Sequence, residues 1–416
     1  MKLNKLFKNK SSGVLLKNIS YLAGGQMIAQ FISLLGAFFI PRLLGPENYG
    51  EYQVVINYVL MYKLLTFTGV NKVNIREIAK NVSKVSEIIN NSLFFRLVFA
   101  VVSVVISLLV LMFLDYSETV IIGVVVFSAF LVLFSIENTI TTVFYALQKL
   151  QYVSYLNIIK SIVQVSFSIA ALLLGYGVLS LVVIYLLAEL VIILVGIRFI
   201  LRHTNYRPEL NSMFDKGLIK RAYKFSIIDF FNLLSSKIDI VMLSFLADPV
   251  GVGVYALANL LARKGLIVRR AIAQSIFPYY SQSSREQLTF KSLNKHLLLI
   301  LAPSVAIIIV IFFGADFIVQ LIAGEAYIES GEILKVLVFY LAFHYAVIPF
   351  SSAIESQYME KFTMFIGFFR AITNVTLNLV LFQYYGIIGV AYSTLIVWSL
   401  NFVIHYIIAY KQFTTK

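Results

Sequence analysis

One apolar stretch, from Asp229 to Gln274, carries Asp229, Lys237, Asp239, Arg263, Lys264, Arg269 and Arg270 besides Asp248 in its central turn. The stretch is long enough to cross a bilayer twice. A Lys or Arg at the bilayer centre costs about 2.5–3.5 kcal/mol on insertion scales. So many charges at that depth imply a polar cavity, or one another, as partners.

Helical phase sorts these residues into faces. At about 100° per residue, Asp229, Asn232, Ser236 and Asp239 share one stripe, with Lys237 off it. Gln26, Gln30 and Ser33 form a similar stripe earlier in the chain. Arg263 and Arg270 share a face with Gln274, and Lys264 lies beside it. Lys63 is a further deep cation, whereas Glu189 and His344 read as lone polar groups engaged in helix packing. For Gln26 and Ser33 the plain alternative is an interhelical hydrogen bond, which averages about 0.6 kcal/mol. For Arg269 and Arg270 it is snorkelling to the headgroups. The deep cations Lys63, Lys237, Arg263, Lys264 and Arg270 outnumber the deep carboxylates Asp229, Asp239 and Glu189. Guanidinium and ammonium groups bind phosphate through charge-assisted hydrogen bonds, so the surplus fits an anionic substrate. The expected substrate-binding set is Lys63, Arg263, Lys264, Arg270, Gln26, Gln30, Asn232 and Ser236. Asp229 and Asp239 are the expected ion-coupling pair, for a proton or sodium ion, with no other cofactor and no catalytic or metal-binding residue.

The elements that position these groups must be spanning helices. Of 416 residues, 60% are hydrophobic and 13% charged, and the mean hydropathy is +0.88. Soluble domains are nearer one quarter charged. The apolar runs are continuous, which excludes the short alternating segments of a β-barrel. Twelve spans are read: Ile19–Pro41, Gly50–Val70, Asn91–Leu114, Thr119–Glu137, Tyr155–Gly175, Val178–Ile200, Ala222–Leu246, Val250–Ser275, His296–Gly314, Gly331–Ser352, Phe362–Gln383 and Gly386–Tyr410. The polar tail Glu137–Thr142 either extends the fourth or breaks it. The absence of cysteine excludes disulfides and thiolate metal sites. Pro41, Pro303 and Pro349 are places where a spanning helix can bend.

Lys and Arg set the orientation. The basic start of the chain leads into a long span, as a retained cytoplasmic tail does and a cleaved signal peptide does not. The connections after spans 2, 4, 6 and 8 and the end after span 12 carry Lys or Arg; the alternate connections carry none. Both ends are therefore expected in the cytoplasm. The net charge of +14 follows from this bias and calls for no nucleic acid. No connection is long enough to fold into a catalytic domain, which argues against an enzyme. The longest outer one, Ala315–Ser330 with Asp316, Glu325 and Glu329, is a poor active site.

The two halves repeat. Pro46, Gly50 and Tyr52 fall on Pro249, Gly253 and Tyr255 at a shift of about 203. Gly177 falls on Gly386, and Lys160 on Arg370, at a shift of about 209 or 210. At the first shift Gln26 falls on Asp229 and Ser33 on Ser236. Six helices per half preserve orientation, so the halves are parallel repeats, lobes 1–210 and 211–416, enclosing a cavity between two bundles.

The segments Tyr21-Leu-Ala-Gly-Gly-Gln26, Pro41-Arg-Leu-Leu-Gly-Pro-Glu-Asn-Tyr-Gly50, Arg76-Glu-Ile-Ala-Lys80, Ile238-Asp239, Val252-Gly-Val-Tyr255 and Gly324-Glu-Ala-Tyr327 resemble the Wzx-type polysaccharide flippases. That family lies in the multidrug/oligosaccharidyl-lipid/polysaccharide exporter superfamily. The resemblance implies an all-α, MATE-like protein of twelve transmembrane helices in two lobes around a central cavity. It implies translocation of undecaprenyl-pyrophosphate-linked, O-antigen-like repeat units across a bacterial cytoplasmic membrane by alternating access, and contact with a polysaccharide polymerase. It would place Lys63, Arg263, Lys264 and Arg270 on the pyrophosphate or on acidic sugars. A multidrug/cation antiporter of the same fold is the alternative, and would show acidic residues dominating the cavity wall.

Overall fold

The computed structural model describes residues 10–66, 68–81, 85–203, 216–282, 288–357 and 360–414. Among these residues the chain is helices and turns, with no strand. The helices are α1 (Lys10–Tyr62), α2 (Val70–Lys80), α3 (Val85–Leu111), α4 (Glu118–Phe127), α5 (Ala129–Ala146), α6 (Leu150–Leu173), α7 (Val178–His203) and α8 (Lys216–Leu246). They continue with α9 (Pro249–Lys264), α10 (Ile267–Gln282), α11 (Phe290–Ala323), α12 (Glu329–Leu337), α13 (Tyr340–Ala346), α14 (Ile348–Ser356), α15 (Glu360–Tyr385) and α16 (Ile387–Phe413). The sequence Glu137–Thr142 extends the fourth span, since α5 runs on to Ala146.

α3 shows why the chain belongs in lipid. It exposes Val98, Val101, Val102, Val105 and Leu109 and buries Ser92, Arg96, Ser103 and Ser107. The buried set recurs at steps of four, seven and four residues, which is one helical stripe. A helix with apolar groups outside and polar groups inside is stable only where the surroundings are hydrocarbon. Among the described residues nine helical segments are long and apolar enough to span. One of them, Ser20–Tyr62, contains both spans 1 and 2. Gly45, at φ 73° and ψ 169°, interrupts it, a backbone that glycine adopts without the penalty a Cβ would bring. The segments read as spans 7 and 8 are not among the nine: the first carries Asp229, Lys237 and Asp239, and the second is divided into two helices of 16 residues each.

Span 8 departs from the expected continuous helix. It divides at Gly265–Leu266 into α9 and α10, with the Gly265 amide bonding Ala262 O and the Leu266 amide bonding Arg263 O at 3.0 Å each. These three-residue turns break the helical register. The seven-residue spacing from Arg263 to Arg270 crosses the break and so does not establish a shared face. The first half breaks at the equivalent place: α1 ends at Tyr62, which falls on Gly265, and a tight turn, Lys63–Thr66, follows. The prolines differ in effect. Pro303 lies inside α11, while Pro349 stands in the first turn of α14, where its missing amide is no loss.

The chain divides into two compact units, Met1–Leu43 with Val55–Asp229, and Leu44–Val54 with Phe230–Lys416. In the first, α2, α3, α5, α6 and α7 close around Ile78, Ile89, Val143, Phe144, Leu156 and Ile192. In the second, Tyr280, Leu293, Phe350, Ile354 and Ala409 form one core cluster. The second unit contains a reciprocal backbone approach. A Cβ on Gly50 would lie 1.8 Å from Pro249 O, and one on Gly253 would lie 2.0 Å from Pro46 O. The glycines and prolines that mark the repeat are thus the residues that let two helix starts cross at backbone contact.

Candidate functional site

In the second unit four helices each contribute a polar stripe at four-residue steps. α8 supplies Asn232, Ser236 and Asp239; α9 supplies Tyr255, Asn259 and Arg263; α15 supplies Arg370, Asn374 and Asn378; α16 supplies Thr394 and Trp398. Steps of three and four residues put each set on one helical face. Where the faces meet, the polar groups satisfy each other, as buried polar groups in an apolar medium must.

Asp239 lies at the inner end. It is buried and accepts hydrogen bonds from Asn378 Nδ2 (3.0 Å), Tyr255 Oη (3.1 Å) and Thr394 Oγ1 (3.1 Å). All three donors are neutral. One turn along, Arg263 donates from Nε to Asn259 Oδ1 (3.2 Å) and from Nη2 to the carbonyl of Ser236 (3.0 Å). Arg370 donates to Asn232 Oδ1 (2.8 Å) and lies 5.0 Å from the Trp398 ring. His344 stacks on the other side of this group, with ring centroids 3.3 Å from Trp398, and its carbonyl accepts from Arg269 Nε at 3.0 Å. A shallow recess beside Arg370 is lined also by Thr373 and Asn401.

The structure brings together Asn232, Ser236, Asp239 and Arg263 of the expected set. Lys264, one residue on, is half-buried. Arg270 lies on α10, and its side chain falls outside the described residues. Arg370 and Trp398 complete the cluster; for Arg370 the signals were its match to Lys160 and the 370/374/378 spacing.

The other expected residues lie in the first unit. Asp229 accepts from Thr68 Oγ1 at 3.2 Å and pairs with Lys72 at 3.8 Å. Its ion pair is with a residue read as a cytoplasmic-loop cation, not with span 8. Lys63 Nζ stands 3.7 Å from the centroid of the Phe134 ring. Gln26 is exposed, and Gln30 Oε1 accepts from Ser33 Oγ at 2.9 Å within the same helix.

A second polar network, which the sequence reading missed, fills the first unit. Arg96 is fully buried and donates to Asn71 Oδ1 and to Thr139 Oγ1 (3.2 Å). Asn71 in turn holds Asn138 and Thr142 at 2.9 Å each. Glu189, read as a lone residue, is ion-paired with Lys160. Lys160 also faces the rings of Tyr185 (5.4 Å) and Phe130 (6.0 Å), and Glu137 interacts electrostatically with Lys63, Arg96, Lys160 and Glu189. Among the described residues no group of three or more His, Asp or Glu is placed to hold a metal ion.

Residues 15–284 match the family described as polysaccharide biosynthesis protein. A 176-residue region is 23% identical to the probable low-salt glycan biosynthesis flippase Agl15 of Haloferax volcanii, covering 41% of this chain and 37% of that protein. The chain thus matches little more than a third of that curated relative's length. Two solved structures share the fold. An inward-facing multidrug resistance MATE family transporter of the MOP superfamily superposes with a TM-score of 0.78 at 16% identity, over 95% of this chain and 98% of that one. The lipid II flippase MurJ, in an inward closed conformation, gives 0.78 at 12% identity, over 95% of this chain and 87% of that one. With the family match covering more than half of its length and the fold shared with these transporters, the chain is an all-α polytopic membrane protein belonging to the polysaccharide biosynthesis protein family.

Proposed function

We propose that the protein is a flippase that moves undecaprenyl-pyrophosphate-linked oligosaccharide repeat units across a bacterial cytoplasmic membrane by alternating access, with both termini cytoplasmic. One observation carries this reading. Among the described residues Arg263 and Arg370 make no ion pair; their partners are amides, a carbonyl and a ring. A cation held at depth by neutral groups keeps its capacity to bind an anion, and a pyrophosphate offers several acceptor oxygens. A cation exporter would need the opposite balance. The family match and the resemblance to a lipid-linked glycan flippase support the same substrate class. Of the two aspartates proposed for ion coupling, Asp239 is the better placed, since its cage contains no competing cation and Asp229 already pairs with Lys72.

The test is the outer-leaflet appearance of lipid-linked glycan in vesicles carrying wild-type, Arg263→Lys or Arg263→Ala protein. A hydrogen bond to a charged group is worth about 1.5–3 kcal/mol, so the alanine variant is expected to bind substrate roughly ten- to a hundredfold more weakly, with the lysine variant between. Full translocation by a folded, inserted Arg263→Ala protein would remove this residue from the mechanism.

A further inference from the structure

The Lys160–Glu189 pair in the first unit has an asymmetry that a purely structural salt bridge does not need. The Lys160 side chain is 22% exposed while that of Glu189 is 0% exposed. Glu189 Oε1 accepts from Lys160, but Oε2 is buried with no partner among the described residues. The charged and titratable groups facing Glu189 are Lys160 from α6, Glu137 from α5, Lys63 from the turn after α1, and Tyr185 on its own helix. Arg96 of α3 belongs to the same field through Glu137. α4, which also packs on α7, contributes no ionisable group to this set. The equivalent positions in the second unit are Arg370 and Trp398, where no carboxylate is available to exchange.

We propose that Lys160 and Glu189 form a proton-linked anion site, in which the substrate's phosphate draws the Lys160 ammonium away from Glu189 and Glu189 takes up a proton in exchange. This deepens the flippase reading and rests on it. Lys160 is the partner that a ligand can reach, and Glu189 is the one it cannot. Once Lys160 turns to the phosphate, Glu189 is left as a buried carboxylate with Lys63, which it shares with Glu137, as its remaining cationic partner. Removing one partner of a buried pair is costly, and a proton on Glu189 cancels the charge left behind. An O–H bond then forms at Glu189, with the proton taken from bulk solution. Release of the anion restores the ion pair and returns the proton. The directional consequence is that anion binding and proton uptake occur together in this unit.

Calorimetric titration of the full-length protein in detergent with undecaprenyl pyrophosphate, in two buffers of different ionisation heat, measures the exchange. The wild type is expected to take up about one proton per ligand, so that binding weakens by up to about tenfold per pH unit as pH rises. Infrared difference spectra should gain a protonated-carboxyl band on ligand addition. Glu189→Gln should bind without proton uptake and without that band. The double variant Lys160→Gln/Glu189→Gln, which removes both charges and leaves neither unpaired, should do the same with weaker binding. Binding by the wild type with no proton uptake, or unchanged uptake in Glu189→Gln or in the double variant, overturns the proposal. No binding of the pyrophosphate lipid by the wild type sinks the flippase reading itself, and this site with it.

Discussion

Two equivalent positions in the two units solve the same problem differently. In the first unit a deep cation, Lys160, is met by the carboxylate of Glu189; in the second, Arg370 is met by the ring of Trp398 and the amide of Asn232. The residues matched between the halves make a reciprocal contact, Gly50 with Pro249 and Gly253 with Pro46, while the charges differ. The first unit can release and recover a cation; the second presents one continuously. The chemistry of Lys and Arg fits the division, since a flexible ammonium exchanges partners and a planar guanidinium stacks on an aromatic face.

The comparison breaks most easily at Glu189. Glu189→Leu strands Lys160 and is expected to cost about 3 kcal/mol or more, the range for removing one partner of a buried pair, read as a fall in the thermal unfolding midpoint in detergent. A change in Trp398 should do less. Next is the backbone crossing: Gly50→Ala and Gly253→Ala should each lower stability by about 1–3 kcal/mol through overpacking. Gly24→Ala, where a Cβ meets nothing within 4 Å, serves as the control, and unequal effects of the first two would deny the reciprocity. Trp398→Phe keeps a ring under Arg370 and should cost about 0.5–1 kcal/mol of the cation–π attraction, measured as before. The smallest effect belongs to Asp229→Asn. Its pair with Lys72 is long and exposed on both sides (35% and 52%), and such pairs are worth about 0–1 kcal/mol.

Much of the architecture was legible because the bilayer imposes long apolar runs. The repeat was legible at Pro46/Pro249 and Gly50/Gly253, since only a close approach demands those residues. The stripe Asn232, Ser236, Asp239 was legible from phase alone. The break at Gly265–Leu266 was not, because Gly265 keeps right-handed helical dihedrals and only the hydrogen-bond pattern shortens. Nor was the Arg96 network, since a single arginine in an apolar helix gives no sign of which amides will meet it. Glu189 looked solitary because its partner lies 29 residues earlier, on a neighbouring helix, and contact between helices is not written in the periodicity of either.

In the proposed function the deep cations bind an anionic lipid. Competition binding to the purified protein tests it most directly, with undecaprenyl pyrophosphate set against a lipophilic cation. The pyrophosphate lipid should bind, be unaffected by excess cation, and lose roughly ten- to a hundredfold in affinity on Arg263→Ala, as expected for a charge-assisted contact. Binding of the cation alone, strengthened by that substitution, would contradict the account and make the protein a cation carrier.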